Sequence, residues 1–149
     1  MSSKVENLQN NLSLIRACAG LSAYALAKKL DVSRQMISNL EHGRNTMTMM
    51  QYLAIRQVLT EEIEKAKAEE VEMLKDVIKV LVDEPEKYSE EDRERILYEA
   101  NRIASSILAK ETSLEKASKV WKASIAAAII ASAAGGIVAA AVAISKSKK

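Results

Sequence analysis

The sequence contains no phenylalanine, one cysteine and one histidine, and the last two shortages argue against several classes of site. Cys18 has no second cysteine to pair with, so an internal disulfide and the cysteine-based metal motifs are excluded. His42 has no neighbouring nucleophile or second base, and we interpret it as a solvent or phosphate contact. Paired carboxylates, metal clusters and phosphate-binding loops with interpretable spacing are also missing. We therefore expect no enzyme activity, no metal site and no cofactor.

Residues that interrupt helices are scarce, with one proline and four glycines in 149 residues. Alanine, glutamate, lysine, leucine and isoleucine are abundant, and no stretch alternates polar and apolar residues with a period of two. This composition predicts an all-α protein without a sheet. The length allows one ordinary domain with an appendage, or two very small domains.

The most informative stretch is residues 21–43, which reads as two short helices joined by a sharp turn. Ser22 is placed to cap the first helix, and Ser33 is placed to cap the second. Asp31 lies in the turn between them and tolerates the positive φ that such a turn can require. The pattern favours a helix-turn-helix unit.

The second of these helices has one apolar face and one polar face. Ile37 and Leu40 are spaced to face inward, three residues apart. Arginine pairs bidentately with guanine in the major groove of DNA, and glutamine or asparagine pairs with adenine. The outward positions are therefore candidates for reading bases: Arg34, Gln35, Ser38 and Asn39.

An ordinary helical hairpin with a polar face would also explain the apolar spacing. It would not explain Gly20 at the end of the preceding helix, or Gly43 at the end of the second.

This combination resembles the helix-turn-helix of the Cro/C1-type (XRE family) DNA-binding proteins, from about Asn11 to Leu59. A capped, amphipathic fourth helix fits the resemblance and contains Thr48, Met49, Tyr52, Leu53 and Leu59. The residues that carry the resemblance are Leu12, Ile15, Arg16, Gly20, Leu21, Ser22, Leu26, Ala27, Val32, Ser33, Ile37, Leu40, Glu41 and Gly43.

The resemblance implies roles for further residues. Ser33, Arg44 and Asn45 occupy the family's phosphate-binding positions, with an ordinary polar loop as the alternative for the last two. Arg16 and Glu41 occupy the positions of a structural ion pair. Two positions depart from the family pattern. Ala23 replaces the glutamine that often holds a phosphate, and Asp31 replaces the usual turn glycine.

Charge is strongly segregated along the chain. Residues 1–59 carry a net charge of +4, residues 60–115 carry −8, and residues 116–149 carry +6. A basic N-terminal region suits a polyanion, and an acidic middle region repels one. Because the net positive charge of residues 1–59 is modest, strong DNA binding is expected to need two copies of this region.

The middle region, residues 60–120, is predicted to form two helices. Thr60 is placed to cap the first, Pro85 ends it, and Ser89 is placed to cap the second. These helices could form an antiparallel hairpin, or their apolar faces could also meet a second chain. The apolar face of the second helix is a heptad-like seam: Ile96, Ala100, Ile103 and Ile107.

The C-terminal segment from Ala123 to Ser145 contains no charged residue over 23 positions. A helix of that length spans a bilayer core of roughly 30 Å. Trp121 and Lys122 stand at one end and resemble an interfacial anchor. The segment therefore predicts a membrane span, with a buried helix of a soluble oligomer or a hairpin broken at Gly135 and Gly136 as alternatives.

Together these observations predict an all-α protein with three parts. They are a four- to five-helix helix-turn-helix domain over residues 1–59, an acidic helical hairpin or linker over 60–120, and an apolar helix with a basic tail over 121–149. The predicted function is a sequence-specific, repressor-like transcriptional regulator of prokaryotic or phage/mobile-element origin. We expect double-stranded DNA, a second copy of the chain and a lipid bilayer as partners.

The predicted localisation is the cell membrane, as a single-pass protein with a cytoplasmic N-terminal domain, with the cytoplasm as the alternative. A competing hypothesis is a membrane-associated interaction protein whose helix-turn-helix region binds another protein.

Overall fold

The computed structural model describes residues 3–135. This range contains nine α-helices and no strand, which confirms the predicted all-α class. The helices are α1 (Lys4–Asn10), α2 (Leu12–Cys18), α3 (Ala23–Leu30), α4 (Arg34–Glu41), α5 (Met49–Lys65), α6 (Ala68–Ile78), α7 (Glu90–Leu108), α8 (Leu114–Lys122) and α9 (Ile125–Gly135). We call α1–α5 the head and the remainder, from α6 to α9, the body.

Side-chain caps decide where several helices begin. The hydroxyl of Ser22 accepts a hydrogen bond from the Ala25 N–H at 3.0 Å, and Ser33 caps α4 in the same way. Thr48 and Gln51 form a reciprocal capping box at the start of α5. Ser89 caps α7, as its sequence position predicted. Each cap satisfies a backbone N–H group that the first turn of a helix leaves without a partner.

The predicted helix start at Thr60 is wrong, because α5 runs through this position to Lys65. The Thr60 hydroxyl donates a hydrogen bond to the Arg56 carbonyl one turn earlier, at 2.9 Å. This bond keeps the side chain within a continuous helix instead of at a cap. The boundary between helices lies at Ala66 and Lys67.

A wide turn between α6 and α7 packs against the head. After α6 the chain makes one turn of π-helix (Lys79–Asp83) and then a short 3₁₀ turn (Pro85–Lys87). The π turn packs on α1, where the Asn7 side chain donates a hydrogen bond to the Val82 carbonyl at 3.1 Å. The Arg56 guanidinium of α5 binds both carboxylate oxygens of Asp83, at 2.7 and 3.1 Å. This pairing raises the pKa of Arg56.

The head and the body share one hydrophobic core, which extends continuously from Leu8 to Ile130. Helix α2 packs on α3 within the head and also on α6 and α7 of the body. The predicted linker is therefore part of the packed structure. None of its acidic residues is fully buried, and the apolar faces of its helices cover the head.

The predicted apolar seam of α7 packs against helices of the same chain. Ile96, Ala100 and Ile103 are buried within this chain, where α7 packs chiefly on α2, α8 and α9 and less on α6. The expectation that these residues also meet a second chain is wrong, because covered side chains cannot form an intermolecular seam. Periodicity predicted the apolar face correctly but did not identify what covers it.

Trp121 is fully buried instead of lying at a membrane interface. Its indole N–H donates a hydrogen bond to the Asp76 carboxylate of α6 at 2.9 Å. Burial raises the pKa of Asp76, and the hydrogen bond from Trp121 partly opposes this effect. The side chain that resembled a membrane anchor therefore joins α8 to α6.

The apolar C-terminal segment is interrupted at its start. Helix α8 ends at Lys122 with Ala123 as its C-cap, and Ser124 then caps α9 through its hydroxyl. Helix α9 packs on α7 and buries Ala126 and Ile130. Within the described range, no helix combines the length and the apolar character needed to cross a membrane.

The predicted single-pass membrane localisation, with a span from Ala123 to Ser145, is therefore wrong. The described part of this segment is a short helix after a break, and it packs against protein. Ser145 itself, with the rest of 136–149, lies outside the described residues.

The shared core leads to a prediction about the head in isolation. A fragment of residues 1–66 lacks the body helices beside which Leu14, Ala17 and Cys18 lie buried in the full chain, so these side chains become more exposed. We expect it to lose on the order of 2–4 kcal/mol of stability, since one buried leucine contributes about 1.5–3 kcal/mol. Urea unfolding of the fragment and of the full chain measures this difference. Equal midpoints and equal cooperativity would show that the head folds independently.

A second prediction concerns the hydrogen bond between the buried Trp121 and the half-buried Asp76. Asp76→Ala leaves the indole N–H without its acceptor and should cost about 1–3 kcal/mol. Asp76→Asn keeps an acceptor and removes the poorly solvated charge, so we expect little loss at neutral pH.

The pH dependence of these variants follows from the raised pKa of Asp76. The folded protein holds this proton more tightly than the unfolded chain does, so the native residue gains stability as the pH falls through the raised pKa. Any advantage of Asp76→Asn should therefore shrink on acidification. Thermal unfolding at pH 7 and at about pH 4 tests this. Equal losses of stability for Asp76→Ala and Asp76→Asn at neutral pH would contradict the role of this side chain as the acceptor for the Trp121 N–H.

Candidate nucleic-acid interface

The turn between α3 and α4 has the geometry of a helix-turn-helix. Asp31 adopts a left-handed conformation with φ 56° and ψ 46°, as the turn position required. The Val32 N–H then donates a hydrogen bond back to the Ala27 carbonyl at 3.0 Å. Ile37 and Leu40 of α4 are buried in the core of the head. These contacts fix the inner face of α4 and leave its other face outward.

The outward face of α4 carries the four predicted base-reading residues. Arg34 and Gln35 are exposed, whereas Ser38 and Asn39 are half-buried. The Gln35 side-chain amide donates a hydrogen bond to the Asn39 side-chain oxygen at 2.9 Å. The Arg44 guanidinium donates to the same oxygen at 3.4 Å. A residue from the following loop is thereby tied to the polar face of α4.

The residues with predicted phosphate contacts lie at both ends of α4. Ser33 accepts the Met36 N–H at 3.1 Å as the cap of the helix, and its hydroxyl proton remains available to a further acceptor. Arg44 and Asn45 are exposed in the loop after the helix. His42 is also exposed, and its Nδ1 donates a hydrogen bond to the Ser38 carbonyl at 2.8 Å.

Arg16 and Glu41 are in ionic contact behind α4. The Arg16 guanidinium binds both carboxylate oxygens of Glu41, with Nη2 at 3.1 Å from Oε1. It also donates to the Leu21 carbonyl at 3.3 Å. The two side chains are only 13% and 8% exposed, so little water screens the pair. The contact attaches the C-terminal end of α4 to α2.

Gln9 is a second attachment point that the sequence analysis did not single out. Its side-chain amide donates hydrogen bonds to the Leu40 carbonyl at 3.0 Å and to the Asn45 carbonyl at 2.6 Å. Its side-chain oxygen accepts the Met47 N–H at 2.9 Å. One side chain of α1 therefore holds both the end of α4 and the loop of residues 42–48. A glutamine in a short polar helix gives no sequence signal for such a role.

Outside this surface, the groups to consider are the thiol of Cys18 and the side chains that could bind a metal. Cys18 is buried, and burial raises the pKa of its thiol to about 12, which makes it a poor nucleophile. No group of three metal-ligating side chains comes together anywhere in residues 3–135.

The contact between Arg16 and Glu41 leads to a prediction for the full chain. Removing either partner leaves a largely buried charge without its counterion, and we expect each alanine variant to cost about 2–4 kcal/mol. The double variant should cost less than the sum of the singles, with a coupling of about 1–3 kcal/mol. Arg95→Ala is the matched control, because its pair with Glu91 is exposed. Additive losses from chemical unfolding would contradict a direct interaction.

A comparison with known proteins finds a match within the head. The family model described as helix-turn-helix matches residues 3–59, which is well under half of the chain. No curated protein and no solved structure matches the chain. Residues 3–59 are thus similar to the helix-turn-helix domains of the XRE type, which are DNA-binding regulatory domains.

Proposed function

We propose that this protein is a sequence-specific, repressor-like transcriptional regulator of prokaryotic or phage/mobile-element origin. The observation that carries the proposal is the outward polar face of α4, on a helix whose inner face is fixed by buried residues and by two polar attachments. Arg34, Gln35, Ser38 and Asn39 read bases in the major groove of double-stranded DNA. Ser33, Arg44 and Asn45 bind backbone phosphates.

Rigid attachment of α4 supports sequence reading. Arg16 and Gln9 hold the end of this helix from two directions, through Glu41 and through the Leu40 carbonyl. Discrimination between bases depends on placing donors and acceptors within hydrogen-bond distance of base edges, and a loosely held helix would lose this precision. The bond between Gln35 and Asn39 further restricts both side chains before any DNA is present.

The distribution of charge supports contact with a polyanion at this surface. Between positions 34 and 48 the one acidic residue, Glu41, is paired with Arg16, which leaves the positive charges of Arg34 and Arg44. The acidic body packs on α1, α2 and α5, and the main contacts of α4 are with α1 and α3. The body therefore leaves the outward face of α4 uncovered and its carboxylates away from the approaching phosphates.

The mechanism is occupancy of a site. Two heads place their α4 helices in successive major grooves of one face of the duplex, and the bound protein blocks polymerase. Two heads double the number of neutralised phosphates, which compensates for the modest positive charge of each.

Alanine variants of the base-reading residues and of the phosphate-binding residues are expected to affect DNA binding in different ways. Arg34→Ala and Gln35→Ala should each remove about 1–3 kcal/mol of discrimination at particular base pairs, with nearly unchanged binding to random DNA. Arg44→Ala should weaken binding to every sequence and flatten the salt slope by about one unit. A specific site selected from random duplexes, followed by fluorescence anisotropy at several salt concentrations, measures both effects.

Arg102→Ala serves as the control in that experiment, because Arg102 is exposed on α7 away from α4. It should change neither specificity nor salt slope. Equal losses on specific and random DNA for the Arg34 and Gln35 variants would overturn their role in base reading. A chain without salt-dependent binding to duplex DNA would overturn the proposed function.

A further inference from the structure

A long surface groove runs between α7 on one side and α1 and α2 on the other. Its wider part has a volume of about 940 Å³ and is bounded by α1, the wide turn and the first half of α7. A depression of about 330 Å³ continues it between α2 and the second half of α7. The two parts share Asn11 on one wall and Leu97 on the other, so they form one groove. We call it the α7 groove.

One face of α7 forms a wall of this groove over the whole length of the helix. From Glu90 to Leu108 the helix rises about 27 Å, at 1.5 Å per residue. A groove of this length is longer than a small-molecule pocket and matches a partner helix of about 18 residues. The lining residues of α7 recur every three or four positions, as residues on one helix face do: Glu90, Glu94, Leu97, Asn101, Ser105 and Leu108.

Apolar side chains lie along the groove at intervals. Leu97 is half-buried near its middle, and Leu108 is 43% exposed at one end. Leu81 of the wide turn and Leu14 of α2 present the edges of buried side chains to it. A helix that places its apolar face in such a groove is a recurring mode of protein recognition.

The charges of the α7 groove are confined to its wider part. Glu86, Glu90 and Glu94 are exposed there, and no ion pair within residues 3–135 includes them. The Arg93 guanidinium beside them donates hydrogen bonds to the Pro85 and Tyr88 carbonyls. The narrower part is lined by uncharged residues alone. The groove therefore has one acidic end and one neutral end.

We propose that the α7 groove binds an amphipathic helix of another protein, with lysine or arginine residues near one end of that helix. The basic residues meet Glu86, Glu90 and Glu94, and the apolar face lies along Leu97 and Leu108. Matching of opposite charges fixes the direction in which the helix lies. The same carboxylates repel phosphate groups, which argues against a nucleic acid as the occupant.

The described helices of this chain do not supply such a segment to a second copy. Helices α3 and α8 each carry several lysines. Their apolar faces are already covered, since Leu26 of α3 and Trp121 of α8 are fully buried. A helix with a covered apolar face cannot place that face in a groove of another molecule. The partner is therefore a different protein.

The α7 groove and the recognition helix α4 lie on opposite sides of α1. Asn7 lines the groove, and Gln9 holds α4 and the following loop. Two residues along an α-helix are separated by about 200° around its axis. A helix in the groove thus leaves the outward face of α4 uncovered, and its binding does not depend on the proposed DNA-binding function.

The test selects binders to the full chain from a displayed library of random 18-residue peptides. The selected peptides should share apolar residues at every third or fourth position and basic residues near one end. One of them, synthesised with a fluorescent label, then gives a dissociation constant by anisotropy. Binding should weaken as the salt concentration rises, because exposed charges meet at the groove.

Variants of the groove should weaken binding of this peptide in two distinct ways. Glu90→Gln combined with Glu94→Gln should raise the dissociation constant about 10-fold and reduce its salt dependence. Leu108→Ala should raise it about 5-fold with unchanged salt dependence, because it removes apolar contact at the neutral end. Glu64→Gln combined with Glu69→Gln is the matched control, since both carboxylates are exposed outside the groove. Melting curves show that each variant is folded.

Exchanging the charges tests whether they meet directly. A chain with Glu90→Lys and Glu94→Lys should lose the selected peptide. It should bind a version of the peptide in which the basic residues are replaced by glutamate. Recovery of binding by this exchange supports the proposal, and failure to recover overturns it.

The other outcomes are also decisive. A library that yields no binder overturns the proposal, as do binders that are insensitive to the groove variants. A dimer of this chain that dissociates in the Glu90 and Glu94 variant would make a second copy the occupant, and this also overturns it. Arg44→Ala should leave peptide binding unchanged. Loss of DNA binding and loss of peptide binding are therefore measured separately.

Discussion

The packing of α2 holds this molecule together, because its buried side chains face the head on one side and the body on the other. Most of its residues are buried, and the helix contacts α3, α6 and α7. Arg16, on its remaining side, binds Glu41 at the end of α4. One short helix thus connects the outward polar face of α4 to the acidic body. Loss of either set of contacts would free α4 to move relative to the core.

Polar contacts with the wide turn complete this connection. Asn7 of α1 binds the Val82 carbonyl, and Gln9 on the same helix binds the end of α4 and the following loop. Arg56 of α5 binds Asp83, with its guanidinium also over the ring of Tyr52. The head is thus tied to the body by directional bonds as well as by apolar packing. Directional bonds of this kind fix one orientation of the head relative to the body. Apolar packing alone would restrict this orientation less strictly.

The apolar C-terminal segment shows how hydropathy can mislead. A bilayer and a protein interior both accept alanine and isoleucine, and a count of uncharged residues does not distinguish them. The break at Ser124 depends on a hydroxyl that caps α9, and the burial of Ala126 depends on the surface that α7 offers. Trp121 was equally ambiguous, since a tryptophan satisfies its N–H at a membrane interface or, as here, with a half-buried carboxylate.

The sequence by itself determined the local features of this protein. Ser22, Ser33 and Ser89 begin helices because their hydroxyls reach backbone N–H groups three residues later, and Asp31 permits the left-handed turn. The same local periodicity separated the inward Ile37 from the outward Gln35. These features depend on residues within one or two helical turns, so they can be predicted from short stretches of sequence.

Only the tertiary structure decided which surfaces meet. The three hydrogen bonds of Gln9 and the contact between Arg56 and Asp83 join residues far apart in the chain. The apolar face of α7 was predictable, but its burial against α2, α8 and α9 was not. Periodicity specifies which side of a helix avoids water, and many neighbours can satisfy that requirement. The choice among them depends on the shape and polar groups of the whole core, which no single segment contains.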